Sequence, residues 1–201
     1  MRLYATPTSP YARKVRIVLA EKRIPYDLEW VDLRSPDHPV KTVNPLGKIP
    51  VLVLNDGTPV YDSSVIVQYL DLAHPQPRLI PADLPGRLRA LRGEALADGI
   101  MDSTITWVME QRHSSDCQDA ALLARMRSKV ITALSMLQAQ VPQWQEKDKT
   151  EHLELPEIAA IAAIAYVDLR APEFLLGFAE LMGWYQRMRQ RPSIADTAAT
   201  A

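Results

Sequence analysis

The 201-residue chain predicts a small α/β half joined by a proline-rich linker to an all-α half. Three observations carry that fold class. Strand and helix signals alternate over residues 1–73. Residues 74–86, HPQPRLIPADLPG, hold four prolines, which neither a continuing helix nor a central strand tolerates. Beyond them apolar residues recur almost everywhere at steps of three and four, the period of a helix.

In order along the chain, RLYA is short and β-prone. PYARKVRIVLAEKR sets Tyr11, Val15, Val18 and Leu19 on one helical face. IPYDLEWVD then alternates, with Tyr26, Leu28 and Trp30 pointing one way and Asp27 and Glu29 the other. Together these read as a βαβ unit. VLVLN, the turn residues DG and TPVY follow as a hairpin. SSVIVQYLDLA closes the half as a second helix, its face expected on Val65, Tyr69 and Leu72 and widened by Ile66 and Leu70. In the second half, QDAALLARMRSKVITALSMLQAQV spaces Leu123, Met126, Val130, Leu134, Leu137 and Val141 helically. Segments 87–112, 155–169 and 173–190 read the same way. The expected divisions are 1–75, 76–86 for the linker and 87–201.

Composition narrows the function. Lys and Arg number 23 against 24 Asp and Glu, which argues against a nucleic-acid or anionic-membrane partner held by bulk charge. The longest apolar run, Ile158 to Val167, is too short to span a bilayer. The N-terminus has no apolar stretch of the signal-peptide kind. Cys117 is the single cysteine, so no internal disulfide or multi-cysteine metal site forms, and a reducing cytoplasmic location is expected. His38, His74, His113 and His152 lack metal-ligand spacing, so no metal is expected.

Three motifs carry chemistry. Ser9-Pro10 is a favoured helix start, with serine at the N-cap. The same hydroxyl, at the positive end of a helix, is also placed to donate to an anion. Ile49-Pro50 in NPLGKIPVL leads into an apolar strand, where proline removes a ladder donor. A trans proline opening an edge strand satisfies this. So does a cis bond, the rarer form, which frees the Ile49 N–H and C=O for an extended peptide ligand. Asp62-Ser63 in YDSSVIVQYL is a capping pair, or a pocket in which helix-end N–H groups hold a carboxylate and Asp62 an ammonium.

Taken together, these motifs resemble the glutathione transferase superfamily, strongly over residues 3–70 and more loosely after that. RPS in WYQRMRQRPSI adds to the likeness, and SPYARK resembles a bacterial branch with Ser-Pro in the first loop. The resemblance implies a thioredoxin-like first half and a helical second half. It makes Ser9 the catalytic residue beside the glutathione sulfur and Ile49 the backbone partner of the cysteinyl part, before a cis Pro50. Asp62 and Ser63 become the grip on the γ-glutamyl end. His38 and Lys41 both lie in the loop that meets the glycyl carboxylate. Tyr4 is the rival to Ser9, but it falls in the first strand rather than the loop after it.

One stretch departs from the family. Where a Ser/Thr-x-x-Asp capping box usually opens a helix, ELPEIAAIAA has Glu154 and Glu157, and glutamate is a poor N-cap. Arg13, Lys14 and Arg16 read as a solvated helix face, and Cys117 as a non-catalytic loop thiol.

Glutathione is then the expected co-substrate. A free thiol near pKa 8.5 is mostly protonated at neutral pH. A serine hydroxyl donating to the sulfur, with a helix N-terminus behind it, favours the thiolate. Serine cannot form a mixed disulfide, so thiol-transferase chemistry is disfavoured. A hydrophobic electrophile is expected against ALADGIMDSTITWVMEQR, on Met101, Thr104, Ile105 and Val108 with Met109 beside them. The resemblance also implies a homodimer and a role in detoxification. The competing class is a non-catalytic binding protein of the same fold, resembling the stringent starvation proteins.

Overall fold

The computed structural model describes residues 1–147 and 152–199. The first half runs β1 (Arg2–Ala5), α1 (Pro10–Glu21), β2 (Asp27–Trp30), α2 (Val40–Val43), β3 (Val51–Val53), β4 (Pro59–Val60) and α3 (Ser63–Ala73). The second runs α4 (Leu84–Glu110), α5 (Ala120–Gln138), α6 (Val141–Lys147) and α7 (Leu155–Arg170). A 3-10 turn (Pro172–Leu175), α8 (Ala179–Met188) and α9 (Pro192–Ala195) complete it.

The sheet order is β2-β1-β3-β4, parallel between β1 and β2 and antiparallel elsewhere. Leu3 and Leu52 bury one sheet face against Val15, Val18 and Leu19 of α1 and Ile66, Val67 and Leu70 of α3. Tyr4 and Val51 pack with Val40 in a smaller second cluster. In the second half α7 is central, and Ile158 through Ile164 are fully buried. No helix among the described residues is long and apolar enough to cross a membrane.

The register decides where function can sit. Tyr4, near the end of β1, pairs with Val51 at the start of β3, and Leu52 pairs with Val60 at the end of β4. The loop after β1, the segment before β3 and the segment after β4 therefore share one end of the sheet. Those are the places of Ser9, Ile49 and Asp62.

Several expectations change. On α3, Val65, Tyr69 and Leu72 are exposed, and the buried face is Ile66, Val67 and Leu70. Two apolar faces share this short helix, and the sheet takes the other one. Trp30 is 46% exposed rather than inward, with the Arg16 guanidinium 5.1 Å from its ring. Residues 84–86, expected in the linker, form the first turn of α4, because Asp83 caps it through the Gly86 N–H at 2.8 Å and proline is tolerated there. The single helix expected over 173–190 is broken by Gly177, whose φ of +92° is one glycine adopts freely. Glu154 does start α7. The Glu157 carboxylate accepts from the Glu154 N–H at 2.7 Å, and the two glutamates complete a capping box.

The largest change is in α1. Arg13 and Lys14 are buried, at 8% and 0% exposure. The chain's last turns cover that helix. Arg13 donates to the Ile194 carbonyl at 3.2 Å, and Arg16 to those of Asp196 and Thr197, also at 3.2 Å. Glu21 accepts two bonds from Arg191, at 2.6 and 2.7 Å, and one from Ser193. Lys22 donates to the His74 and Pro77 carbonyls at 2.7 Å and pairs with Asp71 at 2.8 Å. Asp71 in turn accepts from Leu79 and Ile80 N–H. Buried cations need such partners, and these partners fasten the linker and the C-terminal segment to α1.

The halves of the helical domain meet closely at Gly93 of α4. A Cβ there would lie 2.7 Å from Cβ of Pro156 and 3.4 Å from its Cα. A rigid proline ring cannot yield, so Gly93→Ala should destabilise by about 1–3 kcal/mol despite alanine's better helix propensity. Thermal unfolding should show a fall of about 2–4 °C per kcal/mol for a chain of this size.

Candidate functional site

Ser9 is the N-cap of α1. Its Oγ accepts the Ala12 N–H at 3.2 Å, and Pro10 occupies the first helical position. A hydroxyl has two lone pairs and one proton. Capping uses a lone pair and leaves the proton free to donate, so the two roles weighed for Ser9 are compatible. The residue is half-buried.

Across the sheet end, the Ile49–Pro50 peptide is cis. Among the described residues the Ile49 N–H and C=O take no hydrogen-bond partner. Beside them Asn44 orders the preceding turn, donating to the Lys48 carbonyl at 2.8 Å and accepting from Leu46 N–H at 3.0 Å. His38 is buried, and among the described residues its Nδ1 has no hydrogen-bond partner. Lys41 is exposed, with its ammonium on the Pro36 carbonyl at 2.5 Å.

Asp62 caps α3 and accepts from Ser64 and Val65 N–H at 3.1 and 3.4 Å. Ser63 follows it, buried at 4% exposure. α1 and α3 therefore both present their N-terminal ends, with their partial positive charge, near one end of the sheet.

Behind α3 lies a polar seam. Glu94, Asp98 and Asp102 stand four residues apart along α4, and Tyr11 and Lys14 face them from α1. The Lys14 ammonium is 2.8 Å from Glu94 and 2.9 Å from both Asp98 oxygens. The Tyr11 hydroxyl donates to Asp102. Burial first, then this bond, pushes the Tyr11 phenol well above its ordinary range. Burial also raises Tyr166, against the opposing pull of Arg170 and Arg112. An open cleft of about 420 Å³ between α3 and α4 is lined by Ser64, Gln68, Leu91, Glu94, Asp98 and Asp102, among others. No group of His, Cys, Asp or Glu suited to a metal ion occurs among the described residues.

The model of the glutathione S-transferase N-terminal domain matches residues 3–78. The uncharacterized GST-like protein YibF of Escherichia coli is 34% identical over 199 residues, 98% of each chain. The chain belongs to the glutathione transferase superfamily. A glutathione S-transferase of Methylobacillus flagellatus, solved with glutathione bound, is 41% identical with a TM-score of 0.90 over 99% of each chain. A stringent starvation protein A homolog of Pasteurella multocida is 30% identical over 152 residues, covering 74% of this chain and 68% of that one. The thioredoxin-like half and the helical half expected of a glutathione transferase are the fold found.

The structure brings Ser9, Ile49, Pro50, Asp62 and Ser63 to one end of the sheet. Two of the residues expected for the electrophile lie in the core instead. Met101 and Thr104 have no exposed surface, and the Thr104 hydroxyl is spent on the Ile100 carbonyl at 2.8 Å. That face of α4 packs into the helical core. Ile105 and Val108 are partly buried, and Met109 is half exposed. The residues missed are Tyr11, Lys14, Ser64, Asp98 and Asp102. The acidic stripe at four-residue steps in EALADGIMD was the available signal, and it reads equally as a solvated face.

The raised Tyr11 phenol gives a direct check. In an absorbance titration it should stay unionised past about pH 11, where exposed tyrosines near pKa 10 have titrated. Tyr11→Phe should remove one late-titrating phenol and leave the early ones unchanged. Loss of an early one instead would place Tyr11 in water.

Proposed function

We propose that this chain is a glutathione transferase that activates the thiol of glutathione for attack on a hydrophobic electrophile. The observation that carries the reading is the state of Ser9. Its hydroxyl caps α1 with a lone pair and keeps its proton for a thiolate at the helix N-terminus. Hydrogen bonds to charged groups contribute about 1.5–3 kcal/mol, equivalent to about one or two units of thiol pKa. Serine donates here and does not attack.

The unpartnered Ile49 N–H and C=O suit the cysteinyl part of an extended tripeptide. The end of α3 suits the γ-glutamyl group, with Ser63 and helix N–H groups toward its carboxylate and Asp62 toward its ammonium. The glycyl carboxylate is assigned to the loop that holds His38 and Lys41. Glutathione bound in a structural relative 41% identical to this chain supports the same assignment. The electrophile is placed between the halves, beside Tyr11 and the partly exposed Ile105, Val108 and Met109. Detoxification in the cytoplasm is the role such chemistry fits. No metal enters the scheme.

A non-catalytic binding role is favoured by one finding, the 30% identity to a stringent starvation protein A homolog. Retention on immobilised glutathione with turnover of an aryl halide supports the enzyme. Absence of both favours the binding protein.

The exposed stripe of Val65, Tyr69 and Leu72 on α3 supports a homodimer, which would cover it. Light scattering at micromolar concentration should give about twice the chain mass of 22.6 kDa. A mass of one chain refutes the dimer. For the site itself, Ser9→Ala should cut kcat/KM about 10- to 100-fold near pH 6.5. The loss should shrink toward high pH, where the thiol ionises unaided. A loss of about 1 kcal/mol in stability with activity intact would leave Ser9 a cap alone.

A further inference from the structure

We propose that Lys14 is a positioning residue for the glutathione site, acting through Asp98 and Ser64. The proposal rests on the glutathione reading above. Lys14 has no exposed surface and sits where α1, α3 and α4 meet. An ammonium has three N–H donors. They are directed at Glu94 Oε1 at 2.8 Å and at the two Asp98 oxygens at 2.9 Å, with Ser64 Oγ 3.5 Å away. Asp98 Oδ2 also accepts the Ser64 hydroxyl at 3.1 Å. The Ser64 N–H donates to Asp62 Oδ1 at 3.1 Å.

Those contacts form one line from α1 to Asp62. Lys14 holds both oxygens of Asp98, so the carboxylate cannot rotate. The fixed carboxylate holds the Ser64 hydroxyl. Ser64 lies in the first turn of α3, directly after the Asp62-Ser63 pair. That turn is therefore anchored to the helical half rather than to its own sheet alone. A buried ion cluster of this kind contributes little net stability compared with apolar packing. What an apolar cluster cannot do is orient a hydroxyl and the turn that carries it. Glu94 and Asp98 set two carboxylates against the one Lys14 ammonium, so removing Lys14 would both free and repel Asp98.

The test is calorimetric titration with S-methylglutathione, a thioether without a titrating thiol, alongside thermal unfolding. Ser64→Ala should melt within about 2 °C of wild type and bind about 5- to 10-fold more weakly. Ser64→Thr, which restores the hydroxyl, should bind within about twofold of wild type. A merely structural role would shift melting and leave affinity alone. Lys14→Met should weaken binding at least as much as Ser64→Ala. Should its facing carboxylates prevent folding, the two Ser64 variants decide by themselves. Wild-type binding with unchanged affinity in Ser64→Ala overturns this inference and spares the glutathione reading. No binding by wild type overturns both.

Discussion

An ammonium with no exposed surface must be paired, and the pairing of Lys14 dictates how the two halves of this molecule meet. Glu94 and Asp98 lie on α4 and Lys14 on α1, so the contact exists only when the helical half is seated on the α/β half. The other buried cations in and just after α1 repeat the pattern. Lys22 needs Asp71 and two carbonyls of the linker, and Arg13 needs a carbonyl of the C-terminal segment. None of these contacts is a large source of net stability, since desolvation offsets most of the Coulomb gain. Leaving any one cation alone would be costly. The consequence is a single allowed arrangement around α1, the helix whose first turn presents Ser9.

The sheet supplies the other constraint. Antiparallel pairing of β3 with both neighbours folds the start of β3 and the end of β4 back to where β1 ends. Two helices then begin at that end of the sheet, each with unsatisfied N–H groups. Their caps use only part of each capping residue's capacity. Ser9 accepts one bond, and Asp62 accepts both of its bonds on one oxygen. The backbone N–H bonds orient these side chains, and among the described residues the Ser9 proton and the second oxygen of Asp62 are left over from capping.

Between the halves the chemistry is mixed. Tyr11 reaches Asp102 from the same first turn that carries Ser9, and Asp98 and Asp102 give the neighbouring cleft an acidic side. Of the wall foreseen from residues 95–112, Met101 and Thr104 are drawn into the packing of the helical core, whereas Ile105, Val108 and Met109 keep exposed surface. A 27-residue helix has several faces, and its sequence does not say which neighbour each one meets.

The sequence by itself determined the division into an α/β and a helical half, the longer elements of each, and the three capping and proline positions at Ser9, Ile49-Pro50 and Asp62-Ser63. Those features are local: period, proline, glycine and capping residues act within a few positions of themselves. Ser9, Ile49-Pro50 and Asp62-Ser63 were readable for that reason. Only the tertiary structure decided which faces are buried. It turned Val65, Tyr69 and Leu72 of α3 outward and covered the supposed solvated face of α1 with residues 191–197. It also matched Lys14 with acids 80 and 84 positions away. Burial and charge pairing at such separations depend on how helices are seated on one another, and no periodicity within a single helix encodes its partner.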